Sequence, residues 1–453
     1  MQQNEKSRML GTMKMSKLVP KVAIPIMISL LVQALYNIVD SIFVAKYSPD
    51  ALTAVSLAYP IQMLMIAVST GLGTGINALS SRLLGERNSE GAVMAAGNGL
   101  TLMLSGFLIF LVFGLFFVDD VFKLLTKDDT LRELGEVYLS TVCIFSFGLF
   151  SAILFERLMQ STGNTVLSMV TQIAGAVTNI ILDPIMIFGM FGFPKMGIKG
   201  AAVATVIGQM ASMILGFIIN QTRNKELRLN FKCLAPDKEI VKEILRVGVP
   251  SMIMQSISSV MNVTFNAILI TYGKVAVNIL GIYFKLQSFI FMPIFGLSNG
   301  LVPIIGYNYG ARNRERIYSA IKTALFLALS IMVIGMAIFM IFPEKLLSLF
   351  ESGNVSEITT VGSLALKTIS LHFPLAAIGI TLSTTFQAIG KGMYSMIMSI
   401  SRQLVVLIPA AWILSQLGGL NLIWWSFIIA ESVCLVICLF MYNNVNQRIF
   451  KRL

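Results

Sequence analysis

The residues best placed to do chemistry are carboxylates surrounded by apolar sequence. Asp40 lies in YNIVDSIFVA, near the end of an apolar run that begins at Leu18, and Asp183 lies in NIILDPIMIFG. A charged side chain inside a bilayer is costly, so such residues are rare and mark ion or substrate pathways by default. Neither aspartate stands alone. Gln33, Tyr36, Asn37, Asp40 and Ser41 are separated by three and four positions, which places them in one stripe of a helix. Asn179 precedes Asp183 by one turn and faces the same way, and Thr205 follows in GAAVAT. Oxygens from Asp40, Asn179, Asp183 and Thr205 would suit a hard monovalent cation such as Na⁺. Two nearby carboxylates in a poorly hydrated place can instead share a proton, because mutual repulsion and desolvation oppose two charges. These residues leave Na⁺ and H⁺ both open. Holding helices together would not require them, since a neutral Asn would serve packing nearly as well without the charge penalty.

The elements that must position these residues are membrane helices. Of 453 residues, 56% are hydrophobic and only 12% are charged, a balance that does not furnish a water-exposed surface. Apolar stretches of about 20 residues, enough to cross a bilayer, recur from Val19 to Tyr442. Apolar runs between charge and glycine breaks predict an all-α polytopic protein with twelve spans. These fall near 18–45, 51–79, 92–118, 134–161, 164–190, 197–222, 243–272, 275–305, 316–343, 358–388, 392–414 and 420–445. The opening MQQNEKSRMLGTMKMSKLVPK is basic and has no signal-peptide core, so it is expected to be retained. The net charge of +12 follows the positive-inside rule and does not call for nucleic acid. With the N-terminus inside, 22 Lys and Arg fall in cytoplasmic segments, 8 in external ones and 4 within spans (Arg157, Lys285, Lys367, Arg402). Both termini are then cytoplasmic, in a bacterial cytoplasmic membrane. The four cysteines form no disulfide framework and read as apolar fillers.

A shift of 225 residues superposes the chain on itself. GLGTGINALSSRLLGERNSE from Gly71 meets GLSNGLVPIIGYNYGARNRE from Gly296, and both end in a G-x-R-N-x-E turn. The same shift pairs Pro25 with Pro250, Asn37 with Asn262, and DDVFKLL from Asp119 with EKLLSLF from Glu344; a shift of 227 pairs QSTGNTVLSM with QAIGKGMYSM. Residues 1–222 and 243–453 are therefore expected to form two six-helix bundles, joined by a linker at 223–242. An even number of spans per copy gives both the same orientation. Carriers built this way place cargo between the halves and rock one against the other. Asp40 and Asp183 then lie near the external ends of the first and fifth spans, and Thr205 starts the returning sixth at the same depth. No Walker lysine motif suggests ATP-driven pumping.

YNIVDSIFVAKYSPDALTAVSLAYPI, the GTGINALSSRLLGERN turn, NIILDPIMIFG and GAAVAT together resemble the multidrug and toxic compound extrusion (MATE) transporters over the full length. The resemblance implies a V of two six-helix bundles that exchanges Na⁺ or H⁺ for amphipathic, often cationic, compounds. It maps the family's N-terminal cation ligands onto Asp40, Asn179, Asp183 and Thr205, with Tyr138 in the fourth span. It also makes Pro25 and Pro184 hinges, the first span bending when Asp40 is protonated or loaded. Some members carry an essential glutamate in the seventh span. Here that span, VPSMIMQSISSVMNVTFNAILITYG, has no acidic residue, and Phe265 and Ala410 stand where the repeat would put Asp40 and Asp183. The ion site is therefore expected in the N-terminal half alone.

Gln255, Asn262 and Asn266 form the polar stripe of the seventh span and, with Gln33, Tyr36 and Asn37, are the expected lining of a cargo cavity. Methionine is flexible and polarizable, so some of the 27 methionines and 30 phenylalanines could repack there around lipophilic cations. Glu431, Lys285 and Arg402 are expected to neutralise one another in the C-terminal bundle or to face the cavity. Glu156 and Arg157 should form an interfacial network. His372, with no carboxylate near it in sequence, is not expected to relay protons. The reading is a monomeric antiporter of small lipophilic molecules, surrounded by membrane lipid, without a cofactor or enzymatic activity. A flippase for lipid-linked precursors, which would call for a cationic cavity, is the alternative within transport; an intramembrane enzyme built on the two aspartates is the alternative outside it.

Overall fold

The structure is a computed structural model and describes residues 5–229, 233–350 and 355–453. The described residues are helical and contain no strand. Among the described residues, ten helices are long and apolar enough to cross a membrane, and two bent pairs bring the number to twelve. The spans are α1 Met15–Tyr47, α2 Pro49–Gly85, α3 Ser89–Phe116, α4 Asp129–Ile144 with Phe147–Ser161, α5 Thr165–Phe188 and α6 Ile198–Arg223. The second six are α7 Lys238–Leu269, α8 Lys274–Gly310, α9 Arg314–Ile341, α10 Val355–Ser370 with Phe373–Ala388, α11 Gly392–Gly418 and α12 Leu420–Ile423 with Ser426–Arg448.

Four features depart from the expected spans. α4 bends by 46° at Phe145–Ser146, and α10 by 44° at Leu371–His372. In α10 the cause is Pro374, which cannot donate a backbone hydrogen bond and disfavours the helical conformation of the residue before it. Inside α11, Ser401–Leu407 forms a π-turn just before Pro409, a wider register that suits the missing donor. Finally, α7 starts at Lys238, inside the stretch expected to be linker, because the Asp237 carboxylate accepts from the amides of Glu239 and Ile240 at 2.9 and 3.2 Å. Just ahead of it, Leu234 and Asp237 are hydrogen-bonded to Thr101 and Asn98 of α3 at 2.8 and 2.7 Å.

The glycine, arginine and asparagine of the repeated G-x-R-N-x-E turn each have a physical reason. Arg87 and Arg312 take positive φ (61° and 54°), which turns the chain sharply. Asn88 and Asn313 then cap the next helices, their side-chain oxygens accepting from the amides of Gly91 at 2.9 Å and Arg316 at 3.2 Å. The glycines let the two turns pack on each other. A Cβ on Gly85 would meet the Tyr307 carbonyl oxygen at 1.9 Å, and one on Gly310 would meet the Arg82 carbonyl oxygen at 2.0 Å. This reciprocal contact joins the halves by direct backbone approach, as small residues do in membranes.

Further glycine approaches continue the seam. Gly71 and Gly75 on α2 press against Met252 and Ile244 of α7, and Gly296 and Gly300 on α8 press against Met27 and Ala23 of α1. Arg82 adds an ion pair to Glu243 of α7 at 3.1 Å. All of these lie towards the face that carries both chain ends, called the terminal face below. Farther along, Gln33 and Asn37 on α1 and Val260 and Val263 on α7 are exposed. The glycine approaches and the Arg82–Glu243 ion pair join the bundles at the terminal face.

Candidate ion-coupling site

The site is built where α5 and α6 come closest. A Cβ on Gly208 would lie 2.8 Å from the Gly175 carbonyl oxygen, and a Cβ on Gly175 would lie 2.8 Å from that of Gly208. Gly200 abuts the Met186 backbone in the same way, at 2.6 Å. Between these two crossings the helices carry Asn179, Asp183 and Thr205, all buried. Asn179 donates from Nδ2 to Asp183 Oδ1 at 3.3 Å and lies 3.4 Å from Thr205 Oγ1.

α1 packs alongside α5 and brings Asp40 to this cluster, beside Asp183. Two carboxylates offer acceptors and no donor to one another. Asp40 Oδ1, Asp183 Oδ2 and Asn179 Oδ1 are accordingly buried oxygens without a hydrogen-bond donor in the protein. Each such orphan costs free energy unless a proton or cation satisfies it. The donor set is all oxygen and suits a hard cation or a shared proton; among the described residues no cluster of three or more His, Cys, Asp or Glu side chains suits a metal ion.

The structure brings the expected ligands together and adds a second layer. Tyr138, buried on α4, and Tyr36 on α1 lie near Asp40 and Asp183. Gln33 is the polar neighbour of the Tyr36 hydroxyl, and Gln62 of α2 that of Tyr138. Gln62 was not singled out in the sequence, although an amide inside IQMLMI is a signal of the same kind as Asp40. Asn37 is exposed, and its carbonyl accepts from Ser41 Oγ at 2.8 Å.

On the other bundle, Gln255 accepts from Thr70 of α2 at 3.0 Å, so it bridges the halves. Asn262 and Asn266 are half-buried, and Asn262 donates to the Ser258 carbonyl at 3.0 Å. α1 is continuous through Pro25, where Ser29 Oγ donates to the Pro25 carbonyl at 3.0 Å, and α5 is continuous through Pro184.

The remaining intramembrane charges separate into distinct roles. Arg402, in the π-turn of α11, pairs with buried Glu431 of α12 at 3.4 Å. Lys285 takes no part in that pair; it is exposed on α8 with its ammonium over the Phe350 ring, because α8 turns Lys285 outward and Tyr283 inward. His372 is buried, bonded to Tyr283 Oη at 3.0 Å and stacked on Phe427. Glu156 and Arg157 form a network with Gln160 within the N-terminal bundle, where Arg157 lies against Gly73. The cysteines are free, and Cys143, Cys434 and Cys438 are buried fillers.

The family model named MatE matches this sequence twice, over residues 25–185 and 250–413, together more than half of the chain. The chain belongs to the MatE family. The two MatE matches begin 225 residues apart, the offset of the sequence repeat. Among curated relatives, the Multidrug export protein MepA of Staphylococcus haemolyticus is 29% identical over 433 residues, covering 94% of this chain and 93% of that protein. A solved MATE structure in complex with MaL6 superposes with a TM-score of 0.92 at 28% identity, with full coverage of both chains. So does the outward-facing conformation of a multidrug resistance MATE family transporter of the MOP superfamily, again at 0.92 and 28%. The MATE fold is thus shared over the whole length, the protein is a multi-pass membrane transporter, and its relatives are transporters rather than enzymes.

Proposed function

We propose that this protein is a secondary multidrug efflux transporter that exchanges H⁺ or Na⁺ for amphipathic, cationic organic compounds. The observation that carries the reading is the trio of buried oxygens on Asp40, Asn179 and Asp183 that lack a donor. An inward-moving H⁺ or Na⁺ supplies what they lack, with Thr205 completing the ligand set and Tyr138 covering it. Occupation removes the repulsion between Asp40 and Asp183 and changes the preferred course of α1 past Pro25, which leads from the seam at Ala23 and Met27 to the site. Cargo occupies the cleft between the bundles, lined by Asn37, Asn262 and Asn266 among apolar side chains, and the altered α1 displaces it outward. The terminal face is cytoplasmic in this scheme. One chain contains both bundles and works as a monomer in lipid.

The test is efflux of a fluorescent lipophilic cation from vesicles under separate Na⁺ and H⁺ gradients, comparing native protein with Asp40→Asn and Asp183→Asn. Each substitution should abolish acceleration by the driving gradient while leaving binding of the dye in place. Gradient-driven efflux that survives both would sink the coupling scheme.

A further inference from the structure

The short helix Glu5–Thr12 spans no membrane and takes no part in the ion site, yet it is fastened to both bundles. On the N-terminal bundle, Ser7 Oγ donates to Glu226 at 2.5 Å, and Met9 and Leu10 lie against the α4–α5 turn at Gly163, where a Cβ would meet Leu10 at 3.3 Å and Met9 at 3.4 Å. On the C-terminal bundle the hold is stronger. Leu10 is fully buried, and its carbonyl accepts from Asn308 Nδ2 on α8 and from Arg316 Nη2 on α9, both at 3.0 Å. The same Arg316 nitrogen donates to the Met13 carbonyl at 2.8 Å, while Arg316 Nε donates to Asn308 Oδ1 at 3.0 Å. Gly11 rests on the Tyr307 ring, where a Cβ would come within 2.8 Å.

Two properties make this arrangement more than anchorage of a terminus. The last carbonyls of any helix have no partner within it; here the other bundle supplies the partners, through a guanidinium fixed by a buried asparagine, so the contact is charge-assisted and directional. The chain then runs from Met13 straight into α1, the span that carries Asp40. The helix is therefore covalently part of one half and held non-covalently by the other, across the seam that must separate if the terminal face opens.

We propose that Glu5–Thr12 is a releasable strap that holds the terminal face closed, with Arg316 and Asn308 as its catch. Parting of the bundles at that face pulls Leu10 and Met13 away from Arg316 and exposes their carbonyls, so the strap favours the state that is open on the opposite face. Arg316 positions the strap and touches neither ion nor cargo.

The experiment uses the full chain in lipid nanodiscs with Cys233→Ser, and spin labels at Glu90→Cys and Glu315→Cys. These are exposed positions that begin α3 and α9 and are equivalent in the repeat. Arg316→Ala and Asn308→Ala, made separately, should raise the fraction of molecules with a long label separation about tenfold to a hundredfold, the effect of losing hydrogen bonds to a charged group. In a second arm, Gly11→Cys and Tyr307→Cys are joined by a reducible cross-linker, which should stop dye efflux until it is cleaved. Unchanged label distances in both point variants, or native efflux from the cross-linked protein, would overturn the proposal. The distance readout does not depend on which ion drives transport, so it fails separately from the coupling scheme.

Discussion

Replacing Gly208 by alanine isolates the contribution of helix approach to the ion site. The new Cβ would sit 2.8 Å from the Gly175 carbonyl oxygen and 3.0 Å from Asn179 Cβ, and ordinary contact begins at 3.4 Å, so α6 must retreat from α5 by about 0.6 Å. Asn179 Nδ2 and Thr205 Oγ1 are already 3.4 Å apart. The retreat carries them to about 4.0 Å, beyond hydrogen-bond reach. Overpacking of this kind costs about 1–3 kcal/mol and the lost hydrogen bond about 1 kcal/mol, partly offset by about 1 kcal/mol from the better helix propensity of alanine. Global stability should therefore fall by a net of about 1–3 kcal/mol, and the relative placement of Asn179 and Thr205 is altered directly. A loss of about 1.4 kcal/mol at the site is a tenfold weaker apparent affinity for the coupling ion. The assay is the ion concentration giving half-maximal dye efflux, alongside the thermal midpoint of the purified protein. Gly281→Ala, whose Cβ would meet nothing within 4 Å, is the control. A Gly208→Ala protein with unchanged ion dependence would refute the claim that the α5–α6 crossing sets the site.

Three further outcomes follow from the same geometry. Arg402→Met alone should destabilise the protein by about 3–5 kcal/mol, because Glu431 is left buried and unpaired. The double variant with Glu431→Met should recover most of that loss in thermal melts and keep native ion dependence. Gly310→Val has no room beside the Arg82 carbonyl oxygen, so it should force the terminal face apart and make a cysteine placed at buried Ala78 reactive to a maleimide. Tyr283→Phe should cost about 1–3 kcal/mol by stranding His372, and dye efflux should keep its native dependence on each gradient.

Much of the architecture was legible because a membrane span announces itself by length and apolarity, and because a duplicated chain repeats its turns. Asp40 and Asp183 were legible for the converse reason: a carboxylate in such a span is conspicuous. Gln62 and Tyr138 were less so, since an amide or a phenol in an apolar helix is common and its direction depends on which neighbour the helix meets. The pairing of Glu431 with Arg402, but not with Lys285, turned on helix rotation. Arg402 lies within the π-turn, where the register of α11 departs from that of a regular α-helix, and no periodicity argument resolves it.

By itself, then, the sequence determined twelve apolar spans, their duplication as two sets of six and the chemical type of the candidate site's side chains, because each is a property of composition or spacing along one chain. Tertiary structure alone decided which oxygens are orphaned, where the bundles touch and what the first helix holds. Those depend on approaches of a few ångströms between residues such as Gly85 and Tyr307 or Leu10 and Arg316, which lie hundreds of positions apart.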